Sequence, residues 1–143
     1  LYQRGIKVLC PDLGFTQSHQ LILDVGENKA REASDLLEQA NIMTNPMPLP
    51  WDRDQESGSG VRIGTQEVTR LGMREDAMAQ IADLVTQLVH ERRNPAEARV
   101  DVEEFMSSHQ GIHYCFDAGA EAYTYFDLAK QTPHPGQQVP KRA

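Results

Sequence analysis

Apolar residues recur along the chain at the spacing of helices in three places. The most regular stretch, residues 74–93, has apolar positions three and four residues apart, which puts one stripe of a helix against a core. The same spacing predicts a helix that ends at about residue 40 and has Asn28 as its N-cap. A third helix is predicted over residues 95–108, because Asn94 is a suitable cap and proline favours the first helical turn.

Short apolar runs between turn-forming residues predict four strands. They cover Ile6–Leu9, Ser18–Val25, Asn41–Asn45 and Val61–Ile63. The prolines of residues 46–50 exclude a helix or a central strand and predict a stiff, extended segment, after which Trp51 is expected to cover the core. Thr65 is predicted to cap a short helical turn that Gly72 ends. Because the connections between strands are short or irregular, we expect an α+β fold, a small and mostly antiparallel sheet covered on one face by helices.

The composition is that of one soluble domain. With 143 residues, 39% of them hydrophobic, the chain is long enough for a single core. Its net charge of −7 argues against a general binder of nucleic acid or of anionic membranes, and no apolar run approaches the length of a membrane span. Two cysteines, Cys10 and Cys115, do not make a disulfide framework, so a reduced, cytoplasmic location is expected.

The two ends of the chain differ from its middle. The start at Leu1 has no initiator methionine and none of the regions of a signal peptide, and it predicts a piece of a longer chain. Residues 131–143 are rich in proline and glutamine without an apolar period, which predicts a flexible tail. Residues 1–130 are therefore predicted to form one domain.

The common motifs of catalysis and cofactor binding are missing. The chain has no GxxxxGK[ST] loop, no GxGxxG, no paired CxxC, no HExxH and no GxSxG. His109, His113 and Cys115 have some likeness to a metal site, but Gly111 interrupts the helix that would align the histidines, so surface or packing roles are expected. The Ser18-His19 pair does not place a hydroxyl on an imidazole, and we expect its histidine to bond to backbone or to a neighbouring domain.

Arg62 has a more unusual setting. It lies between Val61 and Ile63, and glycines at 60 and 64 flank this triplet. In an extended segment the apolar neighbours point to the opposite face and anchor the strand, while the glycines allow close approach of a ligand or of another chain segment. A guanidinium keeps its charge and presents a planar fork for a carboxylate or a phosphate. A ligand site and a structural ion pair with one of the 21 acidic residues both fit this pattern.

Three segments together resemble one known family. The segment SGVRIGTQEVTRLGMREDAMAQIA (Ser59–Ala82) is similar to the signature SGxRxGTxxxTxRGxxExxMxxIA near the C-terminus of serine hydroxymethyltransferases, pyridoxal-phosphate enzymes of the aspartate-aminotransferase fold type (fold type I). Upstream, Phe15–Val25 is similar to the family's GTDxHxxLxD strand and Leu36–Asn45 to its LxxANIxxN segment. The resemblance runs from about Gly5 to Val89, and three segments in the right order make it specific.

The resemblance implies that the chain is the small C-terminal domain of such an enzyme. Arg62 falls on the family's arginine that binds the α-carboxylate of the amino-acid substrate, and His19, Asn45 and Thr65 are implied as residues that support it. The Schiff-base lysine and the rest of the pyridoxal-phosphate site belong to the family's large domain. This chain's lysines fall outside the family's lysine motif: Lys7, Lys29, Lys130 and Lys141. The chain alone is therefore expected to be inactive and to need its own large domain and, as a full chain, a homodimer partner.

One departure from the family pattern bears on the substrate. Between Asn45 and Asp52 the family has N-x-N-x-[IV]-P-x-D, and here Met47 replaces the second Asn, which lies in the folate pocket. Met47 offers no amide, so the departure argues against tetrahydrofolate as the acceptor. Serine/glycine interconversion by hydroxymethyl transfer is the first interpretation. Folate-independent threonine transaldolase or aldolase action is the second, and a non-catalytic interaction domain is the third.

Overall fold

The computed structural model describes residues 1–53 and 56–115 of the chain. The strands are β1 (Lys7–Val8), β2 (Gln20–Asp24), β3 (Asn45–Met47) and β4 (Gly60–Gly64). The α-helices are α1 (Ala30–Gln39), α2 (Gln66–Arg70), α3 (Glu75–Val89) and α4 (Pro95–Ser107). Two 3-10 turns cover Tyr2–Arg4 and Pro11–Leu13. The predicted tail, residues 131–143, and the end of the predicted domain lie outside the described residues.

The strands form an antiparallel sheet in the order β1-β2-β4-β3. β4 therefore lies inside the sheet, and its central residue, Arg62, is paired with Ile22 of β2 on one side and with Asn45 of β3 on the other. Successive side chains of a strand alternate between the two faces of its sheet. Val61 and Ile63 thus point to one face, and Arg62 points to the other.

The hydrophobic core lies on one face of the sheet, between the strands and the helices. Leu23 of β2 and Val61 of β4 have no exposed surface there, and Leu37 of α1 and Leu88 of α3 are equally buried against them. α1 is central to this layer, because it contacts β3, β4, α3 and α4. Each such side chain stabilises the fold by about 1.5–3 kcal/mol through its removal from water. The predicted α+β fold, with an antiparallel sheet and helices over it, is confirmed.

The starts of α3 and α4 carry the sequence signals that are typical of helix N-termini. α3 carries Glu75 and Asp76 in its first turn, where carboxylates interact favourably with the helix dipole. α4 begins at Pro95, and the Asn94 side chain caps it by accepting a hydrogen bond from the N–H of Ala96 at 2.9 Å. Within the described residues, no helix combines the length and the apolar composition needed to cross a membrane.

The prediction for the third strand is wrong. It was expected over residues 41–45, but β3 runs from Asn45 to Met47 and contains Pro46. Asn41 instead has a left-handed backbone with a φ of 66° and completes the turn that follows α1. A proline is tolerated in β3 because this strand lies at the edge of the sheet, where a missing N–H leaves no neighbouring strand without a partner.

The predicted start of the first helix is also wrong. Asn28 has a φ of 59° and lies before Lys29, the residue that occupies the N-cap position of α1. The Lys29 side chain makes no capping hydrogen bond. A residue outside the helix binds its first turn instead, since the N–H of Ala30 donates to the carbonyl of Gly58 at 3.3 Å.

Candidate functional site

Arg62 lies in the middle of β4 on the face of the sheet opposite the core, which we call the Arg62 face. Its neighbour Val61 is completely buried, and Ile63 packs against the same core cluster. Arg62 itself is half-buried. The apolar neighbours therefore anchor the strand, and the backbone alternation presents the guanidinium on the other side.

Asn45 is the direct cross-strand neighbour of Arg62. Its amide satisfies the surrounding groups in only one of its two orientations, with the oxygen toward the guanidinium. In that orientation Asn45 Oδ1 accepts a hydrogen bond from Arg62 Nη2 at 2.6 Å, and the amide nitrogen donates to the Pro46 carbonyl at 3.0 Å. A guanidinium has five N–H donors, so this contact orients the group and leaves other donors for a ligand.

Arg62 is not part of an ion pair within residues 1–53 and 56–115. Five other arginines in that part of the chain are paired with carboxylates: Arg4 with Asp83, Arg70 with Glu67, Arg92 with Glu32, Arg93 with Asp101 and Arg99 with Glu103. Arg31, Arg53 and Arg74 have no ion pair there either, but they are exposed, whereas Arg62 is half-buried. These pairs lie on the surface, where such contacts contribute little stability. A structural ion pair of Arg62 is therefore not observed in this part of the chain, and the ligand site stays a prediction.

Thr65 and His19 meet where β4 passes into α2. The carbonyl of His19 accepts hydrogen bonds from the backbone N–H of Thr65 at 2.8 Å and from its hydroxyl at 3.1 Å. Thr65 occupies the N-cap position of α2, but its side chain makes no capping bond, and its hydroxyl donates to the His19 carbonyl instead. The imidazole of His19 is exposed. These two residues therefore fix the end of the strand that carries Arg62, and their support of a bound substrate stays a prediction.

The two glycines that flank the Arg62 triplet, Gly60 and Gly64, have different neighbours. A Cβ on Gly60 would lie 2.6 Å from Cδ2 of the buried Leu49, whereas one on Gly64 would meet only the flexible end of the Gln66 side chain. Of the two roles that the sequence left open for these glycines, close approach of another chain segment is observed at Gly60.

Trp51 does not cover the core, contrary to the sequence-based expectation. It is 60% exposed, whereas Leu49, two residues earlier, is 1% exposed and occupies the space over Gly60. Trp51 instead lies at the edge of a polar depression. Its charged lining consists of Lys7, Asp24, Glu27, Asp52 and Arg53.

His109, His113 and Cys115 are not brought together around a common centre. The His109 ring packs on Phe105 with ring centroids 4.8 Å apart, and its Nδ1 lies 3.0 Å from the Phe105 carbonyl. The His113 ring covers Gly72, where a Cβ would lie 2.4 Å from it. No group of three potential metal ligands occurs in the part of the chain that the structure describes.

Comparison with known proteins gives one consistent family. The family model for serine hydroxymethyltransferase matches residues 1–85. The chain is 42% identical over 131 residues to the serine hydroxymethyltransferase of Methanosphaera stadtmanae, and 45% identical over 132 residues to that of Methanopyrus kandleri. Each of these alignments covers 90% of this chain.

The chain belongs to the serine hydroxymethyltransferase family. It spans 30% of the length of the Methanosphaera relative and 31% of that of the Methanopyrus relative. A similar solved structure is that of the L-threonine transaldolase from Pseudomonas fluorescens in its internal aldimine state, with a TM-score of 0.72 and 26% identity. That superposition covers 81% of this chain and 27% of the transaldolase. The α+β domain is therefore similar to part of a fold-type I pyridoxal-phosphate enzyme.

The polar depression beside Trp51 does not fit the phosphate of this family's cofactor. In the polar depression beside Trp51, two cations face three carboxylates, which disfavours a phosphate dianion. Of the chain's lysines, the structure describes Lys7 on β1, two strands away from Arg62, and Lys29 at the start of α1. We therefore derive no cofactor contact from this part of the chain.

Two residues of the hairpin between β3 and β4 add to the picture of this family member. Met47 is half-buried and lies on the Arg62 face, two residues along β3 from Asn45 and opposite Gly60. Asp52 binds both ends of the same loop. In the sequence, Asp52 is marked only by its agreement with the last residue of the family motif N-x-N-x-[IV]-P-x-D. That agreement does not reveal its contacts in the loop.

Proposed function

We propose that this chain is the small C-terminal domain of a pyridoxal-phosphate-dependent enzyme that interconverts serine and glycine, and that Arg62 binds the α-carboxylate of the amino-acid substrate. The observation that carries the proposal is the state of Arg62 itself. It is a half-buried guanidinium, oriented by Asn45 at 2.6 Å, with no carboxylate partner in residues 1–53 and 56–115. An oriented guanidinium with free donors is suited to a planar, bidentate carboxylate.

Family membership supports the rest of the proposal. Pyridoxal phosphate supplies an electron sink for bond changes at the α-carbon of an amino acid. Since the chain spans about 30% of the length of its relatives, we assign the cofactor-binding lysine to a large domain of the same polypeptide. The full protein is proposed to be a homodimer. A reducing, cytoplasmic location is proposed as well, because two cysteines, Cys10 and Cys115, do not make a disulfide framework.

The role of Arg62 is tested by Arg62→Ala and Arg62→Lys in the full-length protein. We expect kcat/KM for serine to fall by about 100-fold or more in Arg62→Ala, because a charged, bidentate contact is lost. Arg62→Lys keeps the charge but not the fork, so it should recover only part of the activity. The absorbance of bound pyridoxal phosphate should stay unchanged in both variants.

A matched control is Arg99→Ala, which removes an arginine from an exposed pair with Glu103 on α4. We expect wild-type kinetics from this variant, since an exposed pair of this kind contributes about 0.3–0.5 kcal/mol of stability. Unchanged affinity for serine and glycine in Arg62→Ala would refute the carboxylate assignment.

A second candidate function is folate-independent threonine transaldolase or aldolase action. Two observations favour it, the thioether of Met47 on the Arg62 face beside Asn45 and the similarity to a solved L-threonine transaldolase. A thioether is apolar and offers no amide to a pterin ring, but it suits an apolar aldehyde.

The two reactions are separated by assays of the full-length protein. Glycine formation from serine that depends on tetrahydrofolate would support hydroxymethyl transfer. Acetaldehyde release from threonine that an added aldehyde stimulates, with no response to tetrahydrofolate, would support the transaldolase. A protein that binds pyridoxal phosphate and amino acids but performs neither reaction would support the third interpretation, a non-catalytic interaction domain.

A further inference from the structure

Asp52 closes the base of the loop that joins β3 to β4. Met47 and Gly60 are the last paired residues of the two strands. Just beyond them, Asp52 Oδ2 accepts hydrogen bonds from the backbone N–H of Leu49 at 2.7 Å and from that of Ser59 at 2.8 Å. Asp52 Oδ1 accepts a further bond from the hydroxyl of Ser59. One carboxylate therefore joins the two ends of the hairpin.

The residues that Asp52 joins are themselves fixed to the rest of the domain. Leu49 is 1% exposed and lies against Gly60 on the Arg62 face. Ser59 is 2% exposed, and its carbonyl accepts a hydrogen bond from the N–H of Val25, just after β2, at 2.9 Å. The Ser59 hydroxyl, together with the N–H groups of Leu49 and Ser59, lowers the pKa of Asp52. The carboxylate that closes the loop is thus charged at neutral pH.

The register of β3 needs such support. β3 has three residues, lies at the edge of the sheet and contains Pro46, which cannot donate to a neighbouring strand. A slip of one residue would move Asn45 and Met47 from the Arg62 face to the other face of the sheet. Closure of the loop on both sides of the last pair resists that slip.

We propose that Asp52 is a positioning residue for the Arg62 site, because it holds β3 in register with β4 and so keeps Asn45 against the guanidinium. The proposal rests on the carboxylate-binding function proposed for Arg62. Asp52 acts through the strand and is not assigned a contact with the substrate. Its removal is therefore expected to disturb both the local exchange of backbone amides and the binding of the amino acid.

The first test measures amide hydrogen exchange in the full-length protein. In Asp52→Asn we expect the amides of Asn45, Met47 and residues 60–64 to exchange about tenfold faster, which corresponds to the loss of one charged hydrogen bond. Ser59→Ala removes only the hydroxyl contact and should give a smaller change in the same residues. Asp35→Asn, an equal charge change at an exposed position of α1, should change nothing there. Unchanged exchange in the hairpin, or equal acceleration in the hairpin and in α3, would overturn the proposal.

The second test is kinetic and uses the same full-length variants. Asp52→Asn should raise KM for serine about threefold to tenfold with a smaller change in kcat, and it should add no further rise in an Arg62→Ala background, because both act on one site. A full additional rise in that background would overturn the positioning role. If Arg62→Ala leaves amino-acid affinity unchanged, the proposed function of Arg62 fails. The exchange test still decides whether Asp52 stabilises the pairing of β3 and β4, because it does not depend on what Arg62 binds.

Discussion

Asn45 lies directly opposite Arg62 in the antiparallel pair of β3 and β4, and its amide oxygen accepts a hydrogen bond from Nη2 at 2.6 Å. A neutral amide orients the guanidinium without neutralising its charge. A carboxylate at the same position would form an ion pair and occupy the guanidinium fork that the proposed substrate carboxylate would bind. Asn rather than Asp at position 45 therefore leaves the fork of Arg62 without a carboxylate from this strand.

This relationship predicts that an added charge at position 45 weakens amino-acid binding more than simple truncation does. Asn45→Ala removes one hydrogen bond to a charged group and should weaken amino-acid binding about tenfold. Asn45→Asp should weaken it more than Asn45→Ala does, because the new carboxylate competes with the substrate for Arg62. KM for serine and the Kd of glycine in the full-length protein measure both effects.

The control for the added charge is Asn94→Asp at the N-cap of α4. Asp caps a helix about as well as Asn, so this variant should keep wild-type stability and kinetics. Amino-acid binding in Asn45→Asp that equals or exceeds that of Asn45→Ala would contradict the competition argument.

Gly58 and Gly14 have similar backbone conformations but different surroundings. Both have left-handed backbones, with φ of 55° at Gly58 and 74° at Gly14. A Cβ on Gly58 would lie 2.6 Å from the carbonyl oxygen of Met47, whereas one on Gly14 would meet nothing within 4 Å. Gly14→Ala should therefore lose about 1–2 kcal/mol of stability through backbone strain alone. Gly58→Ala should lose more and also raise KM for serine, because it displaces the end of β3. Chemical denaturation followed by circular dichroism, with steady-state kinetics, tests the contrast.

Much of the fold follows from local sequence patterns. The apolar stripe of α3, the cap of α4 and the strand around Arg62 are all within a few residues of their predicted positions. β3 was misplaced because the three prolines of residues 46–50 argue against a strand. Only the order of the strands reveals that Pro46 lies at an edge, where a proline is tolerated.

The site was less accessible from the sequence than the fold. Arg62 stands out because glycines and β-branched residues surround an obligate charge. The closure of the loop by Asp52 joins residues up to seven positions apart through side-chain and backbone bonds, and no period in the sequence reports such contacts. The burial of Leu49 in place of Trp51 depends on which side chain fits over Gly60, which is a matter of packing between strands.

The burial of Leu37 allows a test of the hydrophobic core, which lies on the face of the sheet opposite Arg62. Leu37 of α1 is completely buried among β-strand and helix side chains, so Leu37→Ala should destabilise the domain by about 2–5 kcal/mol. Val100 on α4 is 62% exposed, and Val100→Ala should change stability by less than about 0.5 kcal/mol. Urea denaturation of both variants measures the difference. Similar stabilities would contradict the described core.

The contact between Arg4 and Asp83 predicts a dependence of stability on pH. Arg4 Nε donates to Asp83 Oδ1 at 2.5 Å and joins the first 3-10 turn to α3. This hydrogen bond lowers the pKa of Asp83 from its ordinary value of 3.8. An aspartate with a lowered folded pKa contributes its stability above the unfolded pKa and loses it as the pH falls through the folded pKa.

The loss of this stability should therefore occur below about pH 4. It should be small, because both groups are partly exposed, and salt should reduce it. Denaturation midpoints between pH 2 and pH 6, in steps of about one unit, should show this component in the wild type and not in Asp83→Asn. An identical pH profile in the two proteins would show that the pair contributes nothing to folding.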